Sequence, residues 1–445
     1  MALTGLEIFK LLPKTNCKKC GRPTCLAFAM QLAQKKANLT DCPDVSEEAK
    51  NVLGAASAPP IKLITLKAGE KIFKVGEETV LYRHEEKFHN PTGVGVTIRD
   101  DLDGGAFSER LKKIDGLKFT RVGTEIGIDI IAVQNMSKNV EKFSSATKMV
   151  ADNSHLALIL MSDSVENMRS ALDVCGNKRP LLWSANAQNY EGMARLAKEK
   201  NCPLIVSAPR LEELADLTEK IKSLGVSEMI LDYNSARLKD VLQGLTKVRR
   251  AALKKNFRPL GFSTITYVKE NDGYQEIIKA STYLAKYAGI VVLDVCEPWQ
   301  IMPLLTVRQN IFTDPQKPVQ VEPKLYQVGQ ANENSPLLFT TNFSLTYYTV
   351  EGEVEASRTP AYILAVDTEG TSVLTAYSGD KLNEKVVAKA MANAKVEEKI
   401  KHKKLIIPGL VAVMTAKLKE ELGWEILVGP KEASGIPSYL RSTWS

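Results

Sequence analysis

The sequence predicts an α/β protein in three parts: a small cysteine-bound N-terminal domain, a central (β/α)8 barrel and a C-terminal Rossmann-like unit. Three observations carry this. Four of the seven cysteines fall within the first 42 residues. Eight short apolar runs then alternate with stretches of helical period. After a polar, proline-containing stretch from Val319 to Pro336, a second and shorter alternation begins.

Composition sets the class. With 44% hydrophobic and 25% charged residues, the 445-residue chain has the balance of a globular protein of two or three domains. No apolar run approaches the roughly 18 residues that cross a bilayer. Met1 to Lys10 lacks the basic start, apolar middle and small-residue cleavage site of a secretory signal, so the expected location is the cytoplasm. A net charge of +7 is too mild for a nucleic-acid binder. The densest basic run, Arg249 to Lys255, is expected at a helix end, solvated, where cations suit the dipole.

Residues 1–57 form the first part. Leu3 to Leu12 reads as a short amphipathic helix stopped by Pro13. Pro23 is expected to open a second helix with Cys25, Ala29, Leu32 and Lys36 on one stripe. The cysteines are spaced Cys17-x2-Cys20-x4-Cys25-x16-Cys42, and Pro43 follows. In a reducing compartment such a group reads as metal-binding. Four thiolates suit a [4Fe–4S] cube, one per iron. Structural zinc is the alternative, but it usually takes two well-separated cysteine knuckles. Gly21 stands where a c-type haem motif needs histidine. The small residues and prolines of Ala55 to Pro60 read as a linker, and 58–92 as linker and connecting hairpin.

The barrel is expected over 93–322. Its strands are Val94–Ile98, Ile128–Val133, Leu156–Met161, Leu181–Ser184, Leu204–Ser207, Met229–Leu231, Thr264–Val268 and Ile290–Val295, separated by helices such as 164–174, 188–198 and 211–224. Strands and helices alternating at this spacing imply parallel βαβ units, eight of which fit a barrel; an open doubly wound sheet is the competing arrangement. The strands end in polar groups: Asn135, Ser162, Asp163, Asn186, Asp232, Asn234, Glu270, Asp294 and Glu297. On a barrel these lie on the catalytic face, although Asp163 and Ser235 also suit helix caps. No nucleophile–base pair or ligand triad stands out, and the four histidines are scattered. The barrel therefore reads as a platform, and Cys175, Cys202 and Cys296 as small buried hydrophobes.

Residues 323–445 give strand Tyr362–Val366, helix 381–395, strand Leu405–Ile407, helix 410–422 and strand Glu425–Val428. Units of this kind bind ligands at the carboxyl ends of their strands. Here those ends are the glycine- and hydroxyl-rich segments 368–372, 408–409 and 429–435. Gly409, opening a helix after a strand, is expected to offer its amide to a ligand oxygen.

The run Cys17-Lys18-Lys19-Cys20-Gly21-Arg22-Pro23-Thr24-Cys25, the eight-strand middle and the segment Thr341-Asn342-Phe343-Ser344-Leu345-Thr346-Tyr347-Tyr348 together resemble the large (gamma) subunits of corrinoid iron–sulfur proteins. The resemblance covers the whole chain, and no departure removes a cluster ligand. It implies a methyl carrier of the reductive acetyl-CoA (Wood–Ljungdahl) pathway. Cobalt in a bound corrinoid would take methyl from methyltetrahydrofolate on a separate methyltransferase and deliver it to the nickel centre of CO dehydrogenase/acetyl-CoA synthase. It also implies a heterodimer with a small (beta) subunit that is itself a barrel, and corrinoid contacts at Thr340, Thr346, Gly370, Thr371, Ser372, Val373 and Ala433. The cluster would return Co(II) to Co(I) after oxidation, with the cofactor doing the hard chemistry and the protein placing it. Many corrinoid proteins supply a lower axial histidine from Asp-x-His-x-x-Gly. Here Ile400 and Leu405 flank His402 at the Asp and Gly positions, so no protein histidine is expected on cobalt. Two other functions compete: a self-sufficient pterin-dependent methyltransferase, and an electron-transfer protein without corrinoid.

Overall fold

Apolar runs bounded by polar turns, and too short for helices, become strands buried on both faces. In the computed structural model, which describes residues 5–33, 37, 39–46, 49, 59–68, 71–176 and 178–444, eight of them form one closed parallel barrel. They are Gly93–Arg99, Ile130–Gln134, Ala157–Met161, Leu181–Ala185, Leu204–Ala208, Met229–Tyr233, Thr264–Val268 and Ile290–Leu293. The last strand pairs back onto the first, from Ile290↔Gly93 to Leu293↔Val96. That closure removes the open-sheet alternative.

A hairpin, Ile64–Ala68 with Lys71–Val75, packs Ile64, Leu66 and Val75 into the same core as the barrel's Ile130, Ile159, Ile205, Ile230 and Ile290. A Cβ on Gly93 would meet the Phe73 ring at 2.5 Å, so that glycine makes room for the plug. Beyond the hairpin, residues 76–92 run without further strands. Most of the expected linker, residues 55–58, and Lys36 lie outside the described residues.

The expected solvated helix end is corrected at one position. The helix Leu238–Lys255 does end in lysines, capped by left-handed Asn256. Arg249, however, is buried: it pairs with Glu78 at 2.9 Å and lies between the Phe88 and Tyr287 rings. One helical turn puts it on the inner face, where its planar cation ties the 76–92 segment to the barrel. Burial raises the Glu78 carboxyl above its usual range despite the guanidinium beside it.

The chain divides into two compact units, 1–118 with 127–312, and 119–126 with 313–445. The second unit holds a five-stranded sheet in spatial order Leu325–Val328, Ala361–Val366, Leu337–Thr341, Lys404–Ile407, Glu425–Val428. The first strand is antiparallel and the other four are parallel. Helices Ser344–Ser357 and Ile436–Thr443 cover one face around Leu338, Ile363 and Ile406. Val373–Ser378, Glu384–Asn393 and Thr415–Leu422 cover the other around Phe339, Leu364 and Ile407. Strands Leu325–Val328 and Leu337–Thr341, and the helix Ser344–Ser357, are additions to the sequence expectation. The expected helix 410–422 is instead a 3-10 turn, Gly409–Met414, broken at Val411, and a separate helix, Thr415–Leu422. Turn Val122-Gly123 belongs to this unit, and Gly123 lets its backbone approach the Tyr348 hydroxyl, 2.1 Å from where a Cβ would stand.

Candidate functional site

Helices Gly5–Leu11 and Cys25–Ala33 enclose a small core of Ile8, Leu12, Phe28, Ala29, Val45 and Ala49, to which Cys25 and Cys42 themselves contribute. The expected opening of the second helix shifts by two residues. It starts at Cys25, and the Thr24 hydroxyl caps it by accepting from Ala27 N at 3.0 Å, while Pro23 precedes the cap. Between the helices the chain takes left-handed φ at Lys14 (57°), Asn16 (51°), Lys18 (62°) and Gly21 (73°). Non-glycine residues adopt this region rarely, and a run of them marks a functional loop. Asn16 fixes it. Its side-chain oxygen accepts from Cys25 N at 2.8 Å, and its backbone N donates to Cys25 Sγ at 3.3 Å.

All four cysteines are free thiols; Cys17 is exposed, Cys20 half-buried, and Cys25 and Cys42 buried. Burial pushes the Cys42 thiol up, and the charges of Cys20, Cys17 and Cys25 act the same way. Asp44 accepts from the Cys17 thiol at 3.5 Å and pairs with Lys19 at 3.0 Å. Among the described residues no three His, Cys, Asp or Glu side chains are gathered closely enough to share one metal ion. A tetrahedral zinc with sulfurs at about 2.3 Å would hold them about 3.8 Å apart. A four-iron cube takes one thiolate on each iron and spreads its sulfurs wider.

The second site lies at the carboxyl edge of the five-stranded sheet. Sequence order in the parallel part places strand 361–366 on one side of strand 337–341 and strand 404–407 on the other. The connections therefore diverge between 337–341 and 404–407, the switch point at which such sheets open a crevice. A cleft of about 240 Å³ lies there, walled by Thr340, Thr346, Thr349, Pro408, Gly429 and Ala433 among others.

Thr340, Thr346, Val373 and Ala433, four of the seven expected contacts, line this cleft; Gly370, Thr371 and Ser372 form the adjoining turn. That turn hangs on Asn342, which sequence reading did not single out as a site residue. Its amide donates to Gln320 and Asp367, and its oxygen accepts from Thr368 N and Gly370 N. Fully buried and fully bonded, Asn342 is a positioning residue. The expected ligand-facing role of the Gly409 amide is corrected, because Gly409 N donates to Pro430 O at 3.1 Å.

Large apolar side chains stand exposed just after three parallel strands: Leu345, then Leu374 and Tyr377, then Leu410 and Val413, the last 72% exposed. Inside the cleft the Thr340 hydroxyl is buried with no hydrogen-bond partner in the protein. His402 lies outside the lining. Its Nε2 donates to Ser335 O at 2.7 Å and its Nδ1 accepts from Lys404 N at 3.3 Å.

At the barrel's carboxyl face several of the expected polar residues are engaged by neighbouring side chains. Asp294 accepts from Thr97 and Tyr267. Asp232 accepts from Ser207 and Trp183, and burial raises its carboxyl to about 6. Asn135 joins Asp100, Ser162 and Asn167. Ser164, not Asp163, caps the helix Val165–Asp173, and the helix Leu238–Lys255 has no side-chain cap from Ser235. Among the described residues no helix is long and apolar enough to cross a membrane.

A family model described as CO dehydrogenase/acetyl-CoA synthase delta subunit matches residues 63–440, and a second, named for an Fe-S cluster, matches 12–43. The corrinoid/iron-sulfur protein large subunit of Moorella thermoacetica is 44% identical over 442 residues, 99% of each chain. The chain belongs to the family of corrinoid iron–sulfur protein large subunits. The gamma subunits of the acetyl-CoA decarbonylase/synthase complexes of Methanothermobacter thermautotrophicus and Methanopyrus kandleri are also similar. They are 38% and 32% identical, covering 99% and 98% of this chain and 99% and 97% of theirs.

For a corrinoid iron–sulfur large subunit, both groups in the name can be tested against the residues. The N-terminal segment offers four free thiols, the donor type and number that a four-iron cube takes. The cleft offers what a broad, largely apolar ring with polar edges requires: an exposed apolar rim, and a buried hydroxyl lacking a partner. Both fit.

Proposed function

We propose that this chain is the methyl-carrying subunit of a cytoplasmic methyl-transfer system. It would work as a heterodimer with a small barrel subunit, between a methyltetrahydrofolate methyltransferase and CO dehydrogenase/acetyl-CoA synthase. The observation that carries the reading is the switch-point cleft with its unpartnered Thr340 hydroxyl, in a chain that also bears the four-thiol loop.

We assign the domains as 1–57 for the [4Fe–4S] cluster, 58–92 as connector, 93–322 as barrel and 323–445 as a Rossmann-like corrinoid-binding domain. A bound corrinoid would supply the cobalt chemistry for carrying methyl, and a cluster would supply the one-electron chemistry that keeps that cobalt reduced. The chain's own part is placement. The hydroxyls of Thr340 and Thr346 are set to hydrogen-bond the ligand's polar edge, while Val373 and Ala433 give it apolar contact. The Gly370–Ser372 turn, held by Asn342, closes the rim. Cys17, Cys20, Cys25 and Cys42 would hold the iron. Both nitrogens of His402 are engaged by backbone groups, so this side chain would not be available as a donor to a bound corrinoid.

The test is anaerobic purification of the heterodimer with iron and cobalt counted together, followed by transfer of labelled methyl from methyltetrahydrofolate through the methyltransferase. Stoichiometric cobalt, four irons per chain and label on the protein support the reading. Zinc in place of iron, or absence of cobalt, overturns it.

A further inference from the structure

The proposed role gives the barrel no ligand of its own, yet the two ends of the barrel differ. Apolar side chains of the hairpin Ile64–Ala68 with Lys71–Val75 pack into the interior from one end. The other, carboxyl end carries a polar layer. Ala132, Ile205, Ile230 and Ile265 face the interior core. Side chains on a strand alternate between faces, so two residues further on Gln134, Ser207, Asp232 and Tyr267 face inward as well. Trp183 joins them from a fifth strand.

Much of this layer is satisfied. Gln134 Nε2 donates to the Tyr267 hydroxyl at 2.9 Å, and that hydroxyl donates to Asp294 at 2.7 Å. Asp232 Oδ2 accepts from Ser207 at 2.9 Å and from Trp183 Nε1 at 3.2 Å. Two acceptors are left over. Among the described residues nothing donates to Asp232 Oδ1 or to Gln134 Oε1, although these residues are only 7% and 8% exposed. A carboxylate so withdrawn from water is costly until a donor reaches it. Between these two oxygens stand flat apolar surfaces. The Tyr267 ring, half-buried, meets the Trp183 ring edge-on at 6.1 Å between centres.

We propose that the carboxyl mouth of the barrel is a second binding site, for a planar nitrogen heterocycle that presents N–H donors, the edge of an aminopyrimidine. Its amino group donates to Asp232 Oδ1, a second N–H to Gln134 Oε1, and the ring lies against Trp183 and Tyr267. An aliphatic ammonium would satisfy the oxygens and leave the rings bare. A carbonyl-edged ring would set acceptor against acceptor. The site lies in the first compact unit and the corrinoid cleft in the second, so the two readings stand or fall separately.

The experiment uses the full-length chain with 2,4-diaminopyrimidine and with pyrimidine, the same ring without amino donors. Binding is read by ligand-observed saturation-transfer NMR and by quenching of tryptophan fluorescence. The parent should bind the diamino ring at least tenfold more tightly than pyrimidine. In Asp232→Asn, Ser207 and Trp183 still claim the amide oxygen, so an N–H turns toward the ligand and binding should weaken at least tenfold, as for a hydrogen bond to a charged group. Gln134→Leu should weaken it about 2- to 10-fold. Ser207→Ala frees an acceptor position on Asp232 and should bind the diamino ring at least as tightly as the parent, which keeps the test open if Asp232→Asn does not fold. Cobalt per chain should be the same in every folded variant. Equal binding of the two rings overturns the proposal, as does parent-like binding by Asp232→Asn or weaker binding by Ser207→Ala.

Discussion

Gly409 gives the sharpest test of how the cleft is built. A Cβ there would stand 2.5 Å from Gly429 O, 2.9 Å from Lys431 N and 2.9 Å from the Pro430 carbonyl carbon. All three are backbone atoms, so no rotamer change relieves them. Against an ordinary contact of 3.4 Å the shortfall is 0.9 Å, and the loops at 408–410 and 429–431 must separate by about that much. Gly409 N to Pro430 O and Gly429 N to Ile407 O are the bonds that would stretch. Overpacking costs about 1–3 kcal/mol and a weakened hydrogen bond about 1 more. For a unit of this size Gly409→Ala should lower the melting temperature by about 10 °C. Both loops wall the cleft, so cobalt retained per chain should fall with it. Gly352 is the control: exposed within the helix Ser344–Ser357, with nothing near its Cβ position. Gly352→Ala should gain roughly 0.5–1 kcal/mol. Differential scanning calorimetry with cobalt analysis reads both. A Gly409→Ala curve that overlays the parent's, with full cobalt, would refute the claim that these loops meet backbone to backbone.

Thr340→Val should leave the corrinoid-free protein at least as stable, because an unpartnered buried hydroxyl is lost, yet weaken corrinoid binding about 2- to 10-fold; a less stable ligand-free variant shows that the hydroxyl already had a partner. Asn16→Ala should lose iron to a chelator faster than the parent, and Asn16→Gly should fall between them, since glycine keeps the left-handed turn but not the side-chain bond. For Asp232, burial raises the folded carboxyl from 3.8 to about 6. The folded state therefore holds the proton more tightly, and stability falls as pH rises through that window; Asp232→Asn should flatten the dependence of the urea midpoint over it. Stripping iron should expose the chain ahead of residue 59 to protease while the second unit melts unchanged, and parallel loss of both would show that the two parts fold as one.

What the sequence made legible follows from how local each feature is. The barrel strands could be read because both faces are buried and each run is apolar along its whole length, as in Leu204–Ala208. Strand Leu337–Thr341 escaped because only Leu337, Leu338 and Phe339 are apolar, and they sit at the end of a polar stretch. Without that strand the switch point has no position, since it depends on strand order. The four cysteines stood out by spacing alone. Asn16 did not announce itself, because its pairing with Cys25 exists only once three residues turn left-handed. Thr340 came from family resemblance alone; on its own, a threonine in a strand carries no site signal. The burial of Arg249 was hidden because a basic run at a helix end reads as solvated, and only the partner segment at 78–88 reverses that.

The two sites store their geometry in different places, and their response to their ligands follows. The thiol loop rests on a core of about eight side chains, two of them the cysteines Cys25 and Cys42. So small a core buries too little to hold left-handed turns at Lys14, Asn16 and Lys18 unaided. Bonds from a bound cluster to Cys25 and Cys42 would thus become part of this segment's folding free energy. The cleft is different. Its walls are the ends of a five-stranded sheet covered on both faces, and Asn342 holds its rim through bonds that involve no ligand. The cleft would thus be a finished seat for a corrinoid, whereas the N-terminal segment would fold around its cluster. That order would suit a carrier that passes methyl between partners while its corrinoid stays seated in an intact fold.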